Sequence, residues 1–474
     1  GTTNAPTLKM DGSNGNLSLP PALTLITSND NSNLPAILSS AGDNLIQGSI
    51  HLTTGGFGNG NTRIKVTGGS LLLAGNIEPS ANATGQVILI LDASIARVGV
   101  VSGVISNKED ILLALTKAGV GTWLLSGENT YSGNTSINAG TLQIERISAT
   151  GTPQPLGTAS TAILLGSGTA SGTLEYAGST AATLTRNLTV AAAGGGIIRN
   201  SGGAVLTLSG TQAKNGRPLT YAGGDFRITG RIVGATAGDL FLDAANVNLT
   251  NNANTYVGST WISNASTLIV SNTSGSATGT GTVTVDASSR LAGSGLIQAG
   301  ANNHINLEGA LIVGDPGASA AANLRLSTAE AGSTIFGPGS VLYMDLFSGA
   351  SLRDNAWSSS AADLLLITGT LEVYEGATLK LGNPLDLTDW SEGAVFKLFD
   401  WSGLTSTSGS FTVDASELGL SAGYSFDTSH LYQDGTITLV AAIVPEPHRA
   451  LLILVGVMLV TLRRYRPQKI HPRF

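Results

Sequence analysis

Cysteine is absent from all 474 residues, which excludes disulfides and thiolate metal sites and suits an exported bacterial surface protein at least as well as a cytosolic one. Charge is scarce as well. Asp, Glu, Lys and Arg together make up 12% of the chain, about half the usual share. The formal balance is −7, and basic residues cluster only at the extreme C-terminus. The main body therefore lacks the basic patch with which a nucleic-acid binder displaces phosphate counterions, and no nucleic acid is expected as a partner. Helical periodicity is nearly missing too; only "KEDILLALTKAG", Lys108 to Gly119, reads as a short helix. The Gly-rich run from Ala191 to Gly203 lacks a Lys-Ser/Thr ending and a following helix, so it is read as tight turns instead of a phosphate loop.

What is abundant is glycine, 62 residues spread along the chain, beside 42% hydrophobic residues. That mixture folds, because disorder needs low hydrophobicity and high net charge. The length calls for several domains or an elongated repeat array. Short alternating runs recur, each closed by Gly, Asn or Ser: "GSLLLAGN" from Gly69, "GTLEYAGS" from Gly172, "GTVTVDAS" from Gly281, "GTLEVYEGATLKLGN" from Gly369. Four to six residues, rich in Thr and Val, with every second one apolar, is the signature of a half-buried strand. In "GTLQIE", Leu142 and Ile144 share one face; in "TWLL", Trp123 and Leu125 do. Strands this short bury too little apolar area to stand alone, so like strands must stack on them. The polar "ENTYSGN" between strands is then a corner, where Asn and Gly tolerate left-handed backbone and stacked Asn or Thr side chains bond from rung to rung. At about 4.8 Å per rung, with roughly 20 to 25 residues per coil, residues 41–330 make a rod on the order of 60 Å.

"GTWLLSGENTYSGNTSINAGTLQIE", Gly121 to Glu145, resembles the autotransporter-associated β-strand repeat, through Asn129, Thr130, Tyr131 and Gly133. A second copy from Asn254 to Val270 keeps Asn254, Thr255, Tyr256 and Gly258, with Ser266 where the family has Gly. The resemblance implies an all-β fold, a right-handed parallel β-helix. Autotransporters end in an outer-membrane barrel of amphipathic strands, each of about ten residues. Residues 331–443 do not read as one, so the repeat is expected here without its own transporter. In its place stand Val444, Pro445, Glu446 and Pro447, an apolar run from Ala450 to Leu462, and the bases Arg463, Arg464 and Arg466. That order resembles the PEP-CTERM sorting signal of Gram-negative bacteria. It implies a short C-terminal transmembrane helix with the body outside, an exosortase-like sorting enzyme and the cytoplasmic membrane as partners, and an exopolysaccharide as a further partner. The organisation expected is lead-in strands over 1–40, β-helix over 41–330, β-rich coils or a cap over 331–443, and the sorting region over 444–474.

Chemistry is thinly represented. Asp239 and Asp243 share parity, yet in one strand they stand roughly 13 Å apart, too far for the paired carboxylates of sugar hydrolysis. Asp225, Arg227 and Arg231 fall on one face and read as a solvated edge. His51, His304 and His430 are scattered, and His448 and His471 lie in the sorting region. Trp123 shares its face with Leu125 and belongs to the core, whereas Trp261 has the opposite parity from Ile262 and is expected outside, where an indole suits glycan contact. The expectation is a non-enzymatic, exported surface or matrix protein with no cofactor or metal. A polysaccharide-active β-helix enzyme or a glycan-binding adhesin is the alternative.

Overall fold

Three parallel faces wind around one apolar interior in the computed structural model, which describes residues 7–27, 34–54, 60–94, 97–347, 361–385, 390–421 and 423–441. Face one runs as ten hydrogen-bonded strands from Leu8–Asp11 to Ile232–Val233. Face two stacks sixteen rungs, from Ser18–Leu19 to the second half of Phe399–Ser408. Face three begins with Leu25–Thr27, Ile50–Leu52 and Ile77–Pro79 and resumes as ten strands from Ala182–Leu184 to Thr412–Asp414. Most turns of the chain add one strand to each face, so the all-β architecture is a parallel β-helix, a solenoid.

Side-chain alternation explains why the stack holds. The inward column of face two reads Trp123, Leu142, Leu174, Ile198, Tyr221, Leu242, Ile262 and Val285, each opposite the next, and all are buried. Each such side chain contributes about 1.5 to 3 kcal/mol of burial, but only where a neighbouring coil covers it, which is why a single coil has no stability of its own. Coil length is not fixed. Thr122 pairs with Thr141, but Gly140 pairs with Gly172, the longer coil carrying its surplus as a loop between Ile144 and Ile163.

Two departures shape the C-terminal end. Leu364–Val373 pairs through its first half with Asn323–Thr328 and through its second with Ser333–Phe336, crossing from face one to face two without a corner. Beyond it, Val395–Lys397, Thr436–Ala441 and Tyr424–Asp427 form an antiparallel sheet. An aromatic cluster lies at this end, with Phe399 stacked on Trp401 at 4.4 Å and Phe336 edge-on to Phe411 at 4.8 Å.

The helix expected over Lys108 to Gly119 is not there. Lys108 and Ile111 close a tight turn, and Leu113–Ala118 is a strand of face one paired with Val87–Ala93. Leu113, Leu115 and Lys117 point inward at period two, so tertiary pairing overrides the weak local helical signal. The only helical segment among the described residues is the 3₁₀ turn Ser416–Leu418, and none is long and apolar enough to cross a membrane. The expected transmembrane helix, with Val444, Pro445, Glu446, Pro447, Arg463, Arg464 and Arg466, lies outside the described residues.

Candidate functional site

The two Asn-Thr-Tyr segments sit where strand ladders stop. Asn129–Tyr131 fills the gap in face three between Ile105 and Ala182–Leu184; Asn254–Tyr256 fills the gap in face one between Ile232–Val233 and Leu296–Ala299. Each therefore occupies a whole side of its coil instead of a corner. The two copies also lie on different sides of the solenoid, because the second follows a strand of face three, Asn246–Leu249, and the first a strand of face two, Thr122–Leu125.

Their geometry is nonetheless the same. Asn129 Oδ1 accepts the Ile105 N–H at 2.8 Å and its Nδ2 donates to the Pro155 carbonyl at 2.7 Å. Asn254 Oδ1 accepts the Ile232 N–H at 2.8 Å and its Nδ2 donates to the Ala277 carbonyl at 2.7 Å. One amide thus bridges the backbones of the coils below and above, in place of the rung-to-rung bonding between side chains expected from sequence. Where strand pairing lapses, buried N–H and C=O groups need such a partner. Thr130 and Thr255 donate their own N–H to Ile105 and Ile232 at 2.9 and 3.0 Å. Tyr131 and Tyr256 turn fully inward, and their hydroxyls meet Thr135 at 3.1 Å and Thr260 at 2.7 Å. Burial pushes the Tyr131 phenol up to about 12 and raises that of Tyr256 further. Gly133 and Gly258 are required by close approach and not by left-handed backbone: a Cβ would run into the carbonyl oxygens of Leu113 and Gly238.

Sequence reasoning missed the third coil of this unit. Gly157-Thr158 and Gly279-Thr280 lie over the tyrosines, with Gly157 and Gly279 at φ 70° and 66° and the N–H groups of Thr158 and Thr280 bonded to the Tyr131 and Tyr256 carbonyls. The shared Gly-Thr pair was the available signal. Buried ionisable groups were missed too. Lys117 is fully enclosed and donates to the carbonyls of Ala118, Gly119 and Ala139 at 2.7 to 3.0 Å; burial pulls its amine down to about 8. Lys214 is enclosed with no hydrogen-bond partner among the described residues, 4.2 Å above the Tyr256 ring, and burial pulls it down to about 7. Lys117 shares parity with Leu113 and Leu115, so reading that segment as a strand would have found it. Asp363 is buried and accepts the N–H groups of Ala322 and Asp345, each at 2.9 Å; burial pushes it up to about 7.

The residues weighed for chemistry do not converge. Asp225, Arg227 and Arg231 are all exposed, and Asp225 accepts from Asn246 at 2.9 Å. Asp239 accepts the Ser259 N–H and the Trp261 indole N–H at 2.9 and 3.3 Å, while Asp243 accepts from Asn264 at 2.7 Å. His51 stands 3.5 Å from Glu78, His304 Nδ1 accepts the Ser333 N–H at 3.2 Å, and His430 lies 3.8 Å from Asp434. Among the described residues no group of three His, Asp or Glu side chains is placed to hold a metal ion. Trp123 is in the core and Trp261 is 41% exposed.

Over 211 residues the chain is 31% identical to "Adhesin BmaC autotransporter" of Brucella suis biovar 1 (strain 1330), an alignment covering 43% of this chain and 6% of that protein. The chain thus spans a small fraction of that relative's length. Residues 115–144, which hold the first Asn-Thr-Tyr rung and the strands on either side of it, match the passenger-associated-transport-repeat family.

Proposed function

We propose that this chain is a non-enzymatic, exported surface or extracellular-matrix protein of a Gram-negative bacterium, and that its β-helix is a stiff rod presenting adhesive faces. The repeat match over 115–144 and the similarity to an autotransporter adhesin support this reading. The observation that carries it is the continuous stack. Sixteen rungs on face two, at about 4.8 Å each, extend about 70 Å, and its outward column sets threonines such as Thr122, Thr141, Thr220 and Thr284 beside the larger Phe241 and Trp261. Such a surface displays side chains at a fixed pitch. The right-handed sense and the four-part division of the chain belong to the same reading.

Export and release are assigned to the tail. Val444, Pro445, Glu446 and Pro447 form the sorting motif, Ala450 to Leu462 the membrane segment, and Arg463, Arg464 and Arg466 the cytoplasmic stop. Prolines cannot donate ladder hydrogen bonds and hold the residues before them extended, which leaves the motif accessible to an exosortase-like enzyme. Protease treatment of intact cells of the native bacterium tests the whole reading. Release of β-helix fragments from the cell surface is expected, with recovered protein ending near Glu446 by mass spectrometry. Protein confined to the cytosol would overturn the surface role, and surface protein intact through Phe474 would overturn cleavage.

A further inference from the structure

On the outside of face two, Phe241, Trp261, Thr284, Asn306, Ile335 and Glu372 stand opposite one another in unbroken register across six coils. The column is about 24 Å long at rung spacing. Trp261 is 41% exposed, and its indole N–H is held by Asp239 of the preceding coil, whose carboxylate is itself held by the Ser259 N–H. The ring is therefore a fixed platform, and a fixed platform loses little entropy when a ligand settles on it. Farther along, a cleft of about 240 Å³ opens between Thr284, Asn306, Glu308, Ile335, Pro338 and Tyr374, with Tyr374 49% exposed at its edge.

We infer that this strip is a binding site for an uncharged polysaccharide strand. The inference rests on the adhesion reading and names the ligand class. An exposed indole and a phenol, separated by hydroxyl, amide and carboxylate groups, match the alternation of a pyranose chain, whose C–H faces stack on aromatic rings while its hydroxyls bond to side chains. Charge decides which glycan. Asp239, Glu308 and Glu372 flank the strip, and no Lys or Arg is among the residues named, so a polyuronate or another polyanion meets like charge. An added peptide strand is disfavoured for a different reason: these rungs are paired on both sides, so face two offers no free strand edge here.

Titration calorimetry and tryptophan fluorescence of the full chain test the assignment with three probes: the hexasaccharides of β-linked glucose and of N-acetylglucosamine, and hexagalacturonate. Binding of at least one uncharged hexasaccharide is expected, with a change in indole emission. W261A should weaken it at least tenfold, and W261F should hold within a few fold. No binding of either uncharged probe, tighter binding of hexagalacturonate, or unchanged affinity in both W261A and Y374A would overturn the inference. Trp261 and Tyr374 are exposed, so these variants fold; circular dichroism matching the parent chain checks that. A chain that is surface-displayed and adhesive but binds no glycan refutes the strip alone, whereas a cytosolic chain that binds glycan refutes the adhesion reading alone.

Discussion

Replacing Asn254 by Ala removes one side chain and leaves two buried backbone groups without partners: the N–H of Ile232 in the coil below and the carbonyl of Ala277 in the coil above. Asn254 is only 6% exposed, so water cannot readily take its place. An unsatisfied buried group costs about 1 to 3 kcal/mol, and two make the expected loss about 2 to 6 kcal/mol. Asn254→Asp keeps the acceptor for Ile232 but turns a carboxylate oxygen toward the Ala277 carbonyl, so it should not rescue. Stability in a solenoid is close to a sum of coil and interface terms, which confines the damage to the flanking coils. Native-state hydrogen exchange of Ile232–Val233, Thr260–Ser263 and Val283–Val285 should therefore accelerate, while Val87–Ala93 stays protected. Asn129→Ala should behave alike around Ile105 and Pro155, since its two bonds have the same lengths. Losses under about 0.5 kcal/mol for both variants, the range of ordinary surface substitutions, would refute the bridging argument.

Two buried ionisable groups and one close-packed glycine give three further outcomes. Lys214, with a value of about 7 against 10.5 for the free side chain, is disfavoured as a cation in the folded chain, so below pH 7 its full cost is present and stability rises as pH climbs from about 7 to 10.5. Lys214→Met should remove a cost on the order of 4 kcal/mol at neutral pH and flatten that rise, as followed by denaturant titration across pH. Asp363 has the opposite sign: its value is about 7 against 3.8 unfolded, so the folded chain keeps the proton longer and stability falls from about pH 4 to pH 7, a slope that Asp363→Asn should abolish. Gly258→Ala drives a methyl into the Gly238 carbonyl and should lower stability by about 3 kcal/mol, measured by the same titration.

Much of the fold was legible because alternation is local. Leu142 and Ile144 announce a strand with one buried face wherever the chain places it, and the recurrence of such runs announces stacking. The Asn-Thr-Tyr phrase was legible as a special rung, but not its side of the solenoid, because that depends on how many residues each preceding coil spends in loops such as the one between Ile144 and Ile163. Gly133 was noticed for the wrong reason: close approach to Leu113 is a contact across coils that no local pattern records. Lys214 was invisible for a similar cause, since its amine sits over a ring in another coil, whereas the parity that Lys117 shares with Leu113 and Leu115 was there to be read. In the candidate glycan strip, Trp261 was placed outside by its parity, but its alignment with Thr284, Asn306, Ile335 and Glu372 emerges only from register.

The central structural claim is that coils stack in parallel and in register, and the lack of native cysteine makes it directly testable by cross-linking. Thr122 and Thr141 are directly opposite in adjacent coils, within the span a disulfide bridges, whereas a partner two residues out of register lies beyond about 7 Å. The double variant T122C/T141C should oxidise to an intramolecular disulfide in the folded chain, seen as one peptide pair by mass spectrometry, while T122C/Q143C should stay reduced. Efficient oxidation of the second pair and not the first would contradict the stacked register on which the rod, its bridging asparagines and its outer face all depend.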